Sequence, residues 1–96
     1  MLPSLALQNH RKAIRDIALS HRVTNVRVFG SVIQRNDVEG SDLDLLVDPT
    51  SATTLMDIAR IERDLVRLLK IPVDVLTPNA LPSSFREQVL RHAQAV

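Results

Sequence analysis

The chain has no cysteine, tryptophan or tyrosine, only two phenylalanines (Phe29 and Phe85) and only two glycines (Gly30 and Gly40). Without cysteine, disulfides, thiol chemistry and cysteine-based zinc sites are excluded. Two glycines cannot build a Walker A loop or a dinucleotide fingerprint, and no nucleophile elbow of the Gly-x-Ser-x-Gly kind is present. With so few aromatics, the 45% of apolar residues must form a core of Leu, Ile, Val and Ala. No apolar run approaches the ~20 residues that span a bilayer, so no membrane contact is expected. The segment Met1–Lys12 lacks a basic leading region and a small-residue cleavage pattern, which points to a cytoplasmic protein. Charge of one sign is also missing: 12 Lys and Arg stand against 11 Asp and Glu, a formal +1, and the basic residues are scattered. Direct nucleic-acid binding is therefore not expected.

At 96 residues the chain is expected to be one domain, 1–96, with a small core that docking onto a partner or self-association into a homo-oligomer would help to stabilise. Residues 4–21 carry Leu7, Ile14, Ile17 and Ala18 at helical spacing. Residues 24–31 read as a strand, with Val26 and Val28 alternating with Asn25 and Arg27 before Gly30-Ser31. A polar loop or short helical turn over 32–41 leads to a second strand, Asp42 to Asp48, stopped by Pro49. Thr54 and Asp57 have capping-box spacing ahead of the clearest helix, through Leu55, Ile58, Leu65 and Leu69. Pro72 to Thr77 is a third strand, and a last helix is expected near Ser83 or Ser84, where Ser84 and Glu87 again fit a capping box. The predicted order is α-β-β-α-β-α. It implies an α/β (α+β) fold, a small mixed β-sheet flanked by helices.

The chemistry is concentrated in Asp42-Leu43-Asp44-Leu45-Leu46-Val47. Side chains alternate along a strand, so both carboxylates project from one face while Leu43, Leu45 and Val47 face the core. Adjacent, partly buried carboxylates repel each other unless a cation or hydrogen-bond donors compensate. Mg²⁺ suits them, as a hard ion that takes one or two carboxylates plus phosphate oxygens. Asp74, between Val73 and Val75, adds a third acid on a neighbouring strand. Three such carboxylates can hold two metal ions about 3.5 to 4 Å apart, the arrangement that stabilises entering and leaving oxygens in phosphoryl transfer. Gly30-Ser31 offers close backbone approach, N–H groups and a hydroxyl for phosphate.

Val28-Phe29-Gly30-Ser31, ten residues, Asp42-Leu43-Asp44-Leu45 and then Asp74 on a later strand together resemble the polymerase-β-like nucleotidyltransferase superfamily. The resemblance is to its minimal nucleotidyltransferase (MNT) members, the antitoxin partners of HEPN toxins. It implies that Gly30, Ser31 and Arg35 contact the triphosphate of ATP and that Asp42 and Asp44 bind two Mg²⁺ ions. Asp74 would complete the site as a third metal ligand or activate the attacking hydroxyl. It further implies AMPylation of a tyrosine on a HEPN-type toxin, with pyrophosphate leaving, in a toxin-antitoxin system. The chain departs from the family where many members carry Arg-Gly shortly after Gly-Ser: Gln34 and Arg35 stand at the corresponding positions.

Two other readings compete. A module that keeps this fold but is catalytically weak or inactive would neutralise its partner by contact alone, and an ordinary α/β domain would merely carry acidic strand ends. The EF-hand is a poor fit, because Asp42, Asp44 and Asp48 are interleaved with Leu and Val and the central glycine is missing. His10, His21 and His92 lack ligand-like spacing and are read as surface residues without a role.

Overall fold

A computed structural model describes all 96 residues. Helix α1 (Pro3–Leu19) opens with proline in its first turn, where the missing N–H costs nothing, and ends where the Ser20 hydroxyl donates to the Ile17 carbonyl at 2.6 Å. Strand β1 (Val23–Phe29) carries a bulge at Asn25, whose positive φ of 53° suits asparagine better than a branched residue. Helix α2 is a single turn, Ser31–Gln34. Strand β2 runs Leu43–Pro49, helix α3 Leu55–Leu69 and strand β3 Val73–Leu76. A 3₁₀ turn at Pro78–Ala80, helix α4 (Arg86–His92) and a two-residue strand β4 (Gln94–Ala95) follow. No helix is long and apolar enough to cross a membrane.

The sheet order is β3-β2-β1-β4. β1 pairs antiparallel with β2 and with β4, whereas β2 and β3 are parallel and joined by the α3 crossover. A mixed sheet flanked by helices is thus what the sequence predicts, with one shifted boundary and one added strand. The single turn of α2 begins at Ser31, so β1 ends two residues earlier than expected. β4 was not expected at all: the Gln-Ala pair has little strand propensity, and backbone pairing with β1 holds it in place. Val96 N–H donates to the Val26 carbonyl at 2.9 Å, and Arg11 and Arg15 from α1 reach the Ala95 and Val96 carbonyls.

One sheet face buries Val26, Val28, Leu43, Leu45, Val47, Val73 and Val75 against Ala6, Leu7, Ile14 and Ala18 of α1 and Ile61, Leu65 and Leu69 of α3. This is the aliphatic core that the composition demands. On the opposite face Phe29, Leu46 and Leu81 form a smaller cluster, flanked by Leu76 and by Val89 and Ala93 from the α4 region. Leu46 is fully buried although it shares its face with Asp44, so the acidic side of β2 becomes a second core one residue pair beyond the carboxylate.

The Thr54–Asp57 capping box forms as predicted: Asp57 N–H donates to Thr54 Oγ1 at 3.2 Å, and Thr54 N–H donates to Asp57 Oδ2 at 2.8 Å. The box expected at Ser84 and Glu87 does not form. Helix α4 starts at Arg86 behind Phe85, with no side-chain cap. Arg86 is turned back instead, donating to the Pro78, Asn79 and Leu81 carbonyls and tying the helix start to the 3₁₀ turn.

Candidate active site

Asp44 and Asp74 are direct partners across the parallel β2–β3 pair, and Phe29 is the partner of Asp44 on the β1 side. Parallel register places side chains of paired residues on the same face, so the two carboxylates stand side by side. Asp42 precedes the first residue of β2 and is exposed, whereas Asp44 and Asp74 are half-buried. Asp74 is thus the neighbour of Asp44 on the adjacent strand, as the sequence predicts, while Asp42, expected inside β2, stands just before its first residue and still acts on Asp44. Burial, then the charge of Asp74 and then that of Asp42 push the Asp44 carboxyl up to about 6.

Gly30 closes the site from the β1 end. A β-carbon at this position would lie 2.2 Å from Asp44 Oδ2, and the backbone φ of 76° is one that side-chain-bearing residues rarely adopt. Ser31 follows as the first residue of α2 and is half-buried. Arg35 is exposed at the far end of that turn, with φ 59°. It thus stands where many members of the resembled family carry glycine and takes a left-handed conformation that glycine adopts without strain.

No three His, Asp or Glu side chains converge closely enough to enclose a metal ion alone. The donor set nevertheless fits a hard cation: all the groups acting on Asp44 are carboxylates or burial, a combination that a bound divalent ion would relieve. Such an ion would need oxygen ligands from a substrate to complete its shell, which is how Mg²⁺ is commonly held.

The sequence reading missed a cavity of about 440 Å³ beside this site. It is lined by Phe29, Gly30, Ile33 and Gln34 on one side and by Phe85, Gln88, Val89 and His92 on the other. Both phenylalanines of the chain thus line it, as does Gln34, which stands where many members of the resembled family carry arginine. His92, read as a surface residue without a role, is part of the wall. The available signal was the scarcity of aromatics itself, with Phe29 directly before Gly30.

Residues 12–96 match the family described as polymerase beta, nucleotidyltransferase. The chain is 33% identical over 85 residues to the protein adenylyltransferase MntA of Thermococcus cleftensis, covering 88% of this chain and 83% of that one. A solved candidate minimal nucleotidyltransferase superposes with a TM-score of 0.81 at 40% identity, covering 97% of this chain and 93% of the other. The fold is also shared with the toxin-antitoxin structures, in which this chain covers 69% of the matching chain. One contains AMP-PNP (TM-score 0.74, 17% identity, 88% of this chain). Another pairs a tri-AMPylated HEPN toxin of Shewanella oneidensis with its MNT antitoxin (TM-score 0.68, 16% identity, 92% of this chain). The chain belongs to the polymerase-β nucleotidyltransferase family, as a minimal member related to the protein adenylyltransferase MntA.

Proposed function

We propose that this protein transfers AMP from ATP to a tyrosine hydroxyl of a HEPN-type toxin and so acts as its antitoxin. The observation that carries the reading is the Asp44–Asp74 register pair with Gly30 packed against it, since it joins a charged carboxylate site to a backbone open to close approach. Membership of the family, similarity to an adenylyltransferase and the fold shared with an antitoxin bound to an AMPylated toxin support it.

In this reaction the acceptor oxygen forms a bond to the α-phosphorus, the bond from that phosphorus to the bridging oxygen breaks, and pyrophosphate leaves. The acceptor's proton passes to a carboxylate, a role we assign to Asp74 when it is not serving as a ligand. Gly30 and Ser31 approach the triphosphate through the backbone and the Ser31 hydroxyl, with Arg35 as the nearest cation on the same segment. Asp42 and Asp44, with Asp74, would hold up to two Mg²⁺ ions, which when bound neutralise phosphate charge and stabilise the entering and leaving oxygens.

Intact-mass analysis of a HEPN-type toxin after incubation with this protein, Mg²⁺ and ATP tests the reading. Whole AMP units on the toxin, absent with Asp44→Asn, are the expected result. A stable complex without any adduct would favour neutralisation by contact alone.

A further inference from the structure

We propose that the cavity between α2 and α4 receives the purine ring of the nucleoside triphosphate, an inference that rests on the function just proposed and adds the determinant of base binding. Its volume of about 440 Å³ falls within the range of small-molecule sites. Its lining carries no Asp, Glu, Lys or Arg: apolar walls from Phe29, Ile33 and Val89, an aromatic face from Phe85, the amides of Gln34 and Gln88, and the imidazole of His92. Such a lining suits a flat heterocycle better than a phosphate, because a π-face is available for stacking and each amide can both donate to and accept from a base edge.

The position of the cavity is the second argument. Gly30 is part of its wall and is also the residue whose missing β-carbon leaves room for the Asp44 carboxylate. One residue therefore separates the largely apolar pocket from the acidic pair, so a single ligand with a planar apolar end and a charged end can occupy both. A nucleoside triphosphate has that division. Phe85 keeps 42% of its surface exposed despite being one of only two aromatic residues, which leaves its ring accessible to a ligand.

The composition makes the test direct. With no Trp or Tyr, the aromatic proton spectrum contains only Phe29, Phe85 and three histidines, and His10 and His21 lie outside the cavity as internal references. NMR titration of the full chain with Mg²⁺-ATP and, separately, Mg²⁺-tripolyphosphate should show ring-current shifts at Phe85 and His92 with ATP only, and shifts at the Gly30 and Asp44 amides with both. Phe85→Ala should weaken ATP binding by about 5- to 100-fold and leave tripolyphosphate affinity unchanged. Gln88→Ala, at an exposed position, should also weaken ATP selectively and serves as the control should Phe85→Ala fold poorly. ATP-induced shifts at Gly30 and Asp44 with Phe85 and His92 unmoved, or undiminished ATP affinity in both variants, would overturn the base pocket while leaving the proposed function standing; such a result would suit a cavity that takes a partner's side chain. If neither ligand shifts any resonance at saturating concentration, both readings fall.

Discussion

Gly30 and Asp44 are packed so closely that a β-carbon on the former would lie 2.2 Å from a carboxylate oxygen of the latter. The contact joins the end of β1 to the acidic face of β2, and it depends on residue 30 having no side chain. Gly30→Ala adds a methyl group in that space and places it on a backbone with φ of 76°, a strain of about 1–3 kcal/mol before the steric clash is counted. The expected fall in Tm is roughly 5–20 °C for a chain of this size, with loss of transfer. Thermal melts beside the mass assay check both, and an unchanged Tm would contradict both the backbone strain and the contact with Asp44.

Asp44 should make the fold less stable as it ionises. Its carboxyl is raised to about 6, above the value near 3.9 in an unfolded chain, so the unfolded state gives up its proton first as pH rises. Stability from this group is fully present below the unfolded value and is lost by about pH 6. Without divalent metal, Asp44→Asn should therefore raise Tm at pH 7, narrow the gap below pH 4, and abolish transfer. Melts in chelator across that range measure it. A variant less stable than the parent at neutral pH would contradict the crowding of the three acids.

Metal and nucleotide should act together. Because no three ligands enclose an ion, millimolar Mg²⁺ alone should move Tm little, whereas Mg²⁺ with a non-hydrolysable ATP analogue should raise it. A large shift with Mg²⁺ alone would show a metal cage formed from side chains without substrate. Removing the metal with chelator should reverse the combined effect.

Glu62 on α3 accepts the Val75 N–H at 3.0 Å, closing part of the open edge of β3 next to Asp74. Glu62→Ala leaves that donor without its partner and should cost about 1 kcal/mol. Faster hydrogen exchange at the Val75 amide is the specific readout; Glu62→Gln, which keeps an acceptor, should restore most of the protection.

The Thr54 cap has the opposite pH signature to Asp44. Hydrogen bonding from Thr54 holds the Asp57 carboxyl below its usual range, so its contribution is present above the unfolded value and lost as pH falls through the lowered one. Thr54→Ala removes the Oγ1 acceptor but keeps the backbone N–H that holds the carboxylate, so Asp57→Asn is the variant whose destabilisation should be largest at neutral pH. Urea titrations at pH 7 and near pH 3 check whether the difference shrinks in acid.

What was legible in the sequence was local. The Thr54–Asp57 box, the valines alternating in β1 and the acids flanked by Leu and Val each announce an element through a few neighbouring residues. What escaped depends on long-range pairing. Gln94–Ala95 becomes a strand because β1 offers a free edge, and Leu46 is buried because Leu81, 35 positions later, covers it. Ser84-x-x-Glu87 has the letters of a cap, but Arg86 binds the carbonyls of the preceding turn and the helix starts after it. The family motifs were readable because Gly30, Asp44 and Asp74 are each marked locally. The cavity was not, because its two walls come from α2 and α4.

The parallel register of β2 and β3 also bears on how the protein tolerates change. Neighbouring strands lie about 4.8 Å apart whatever joins them, so the spacing between the backbones at Asp44 and Asp74 is set by the sheet and not by the connecting segments. Insertions or deletions between Arg35 and Asp42, or in the turn after Pro49, can lengthen or shorten the chain without separating the two acids. The rim of the site can thus be remodelled while the distance between the carboxylates stays constant.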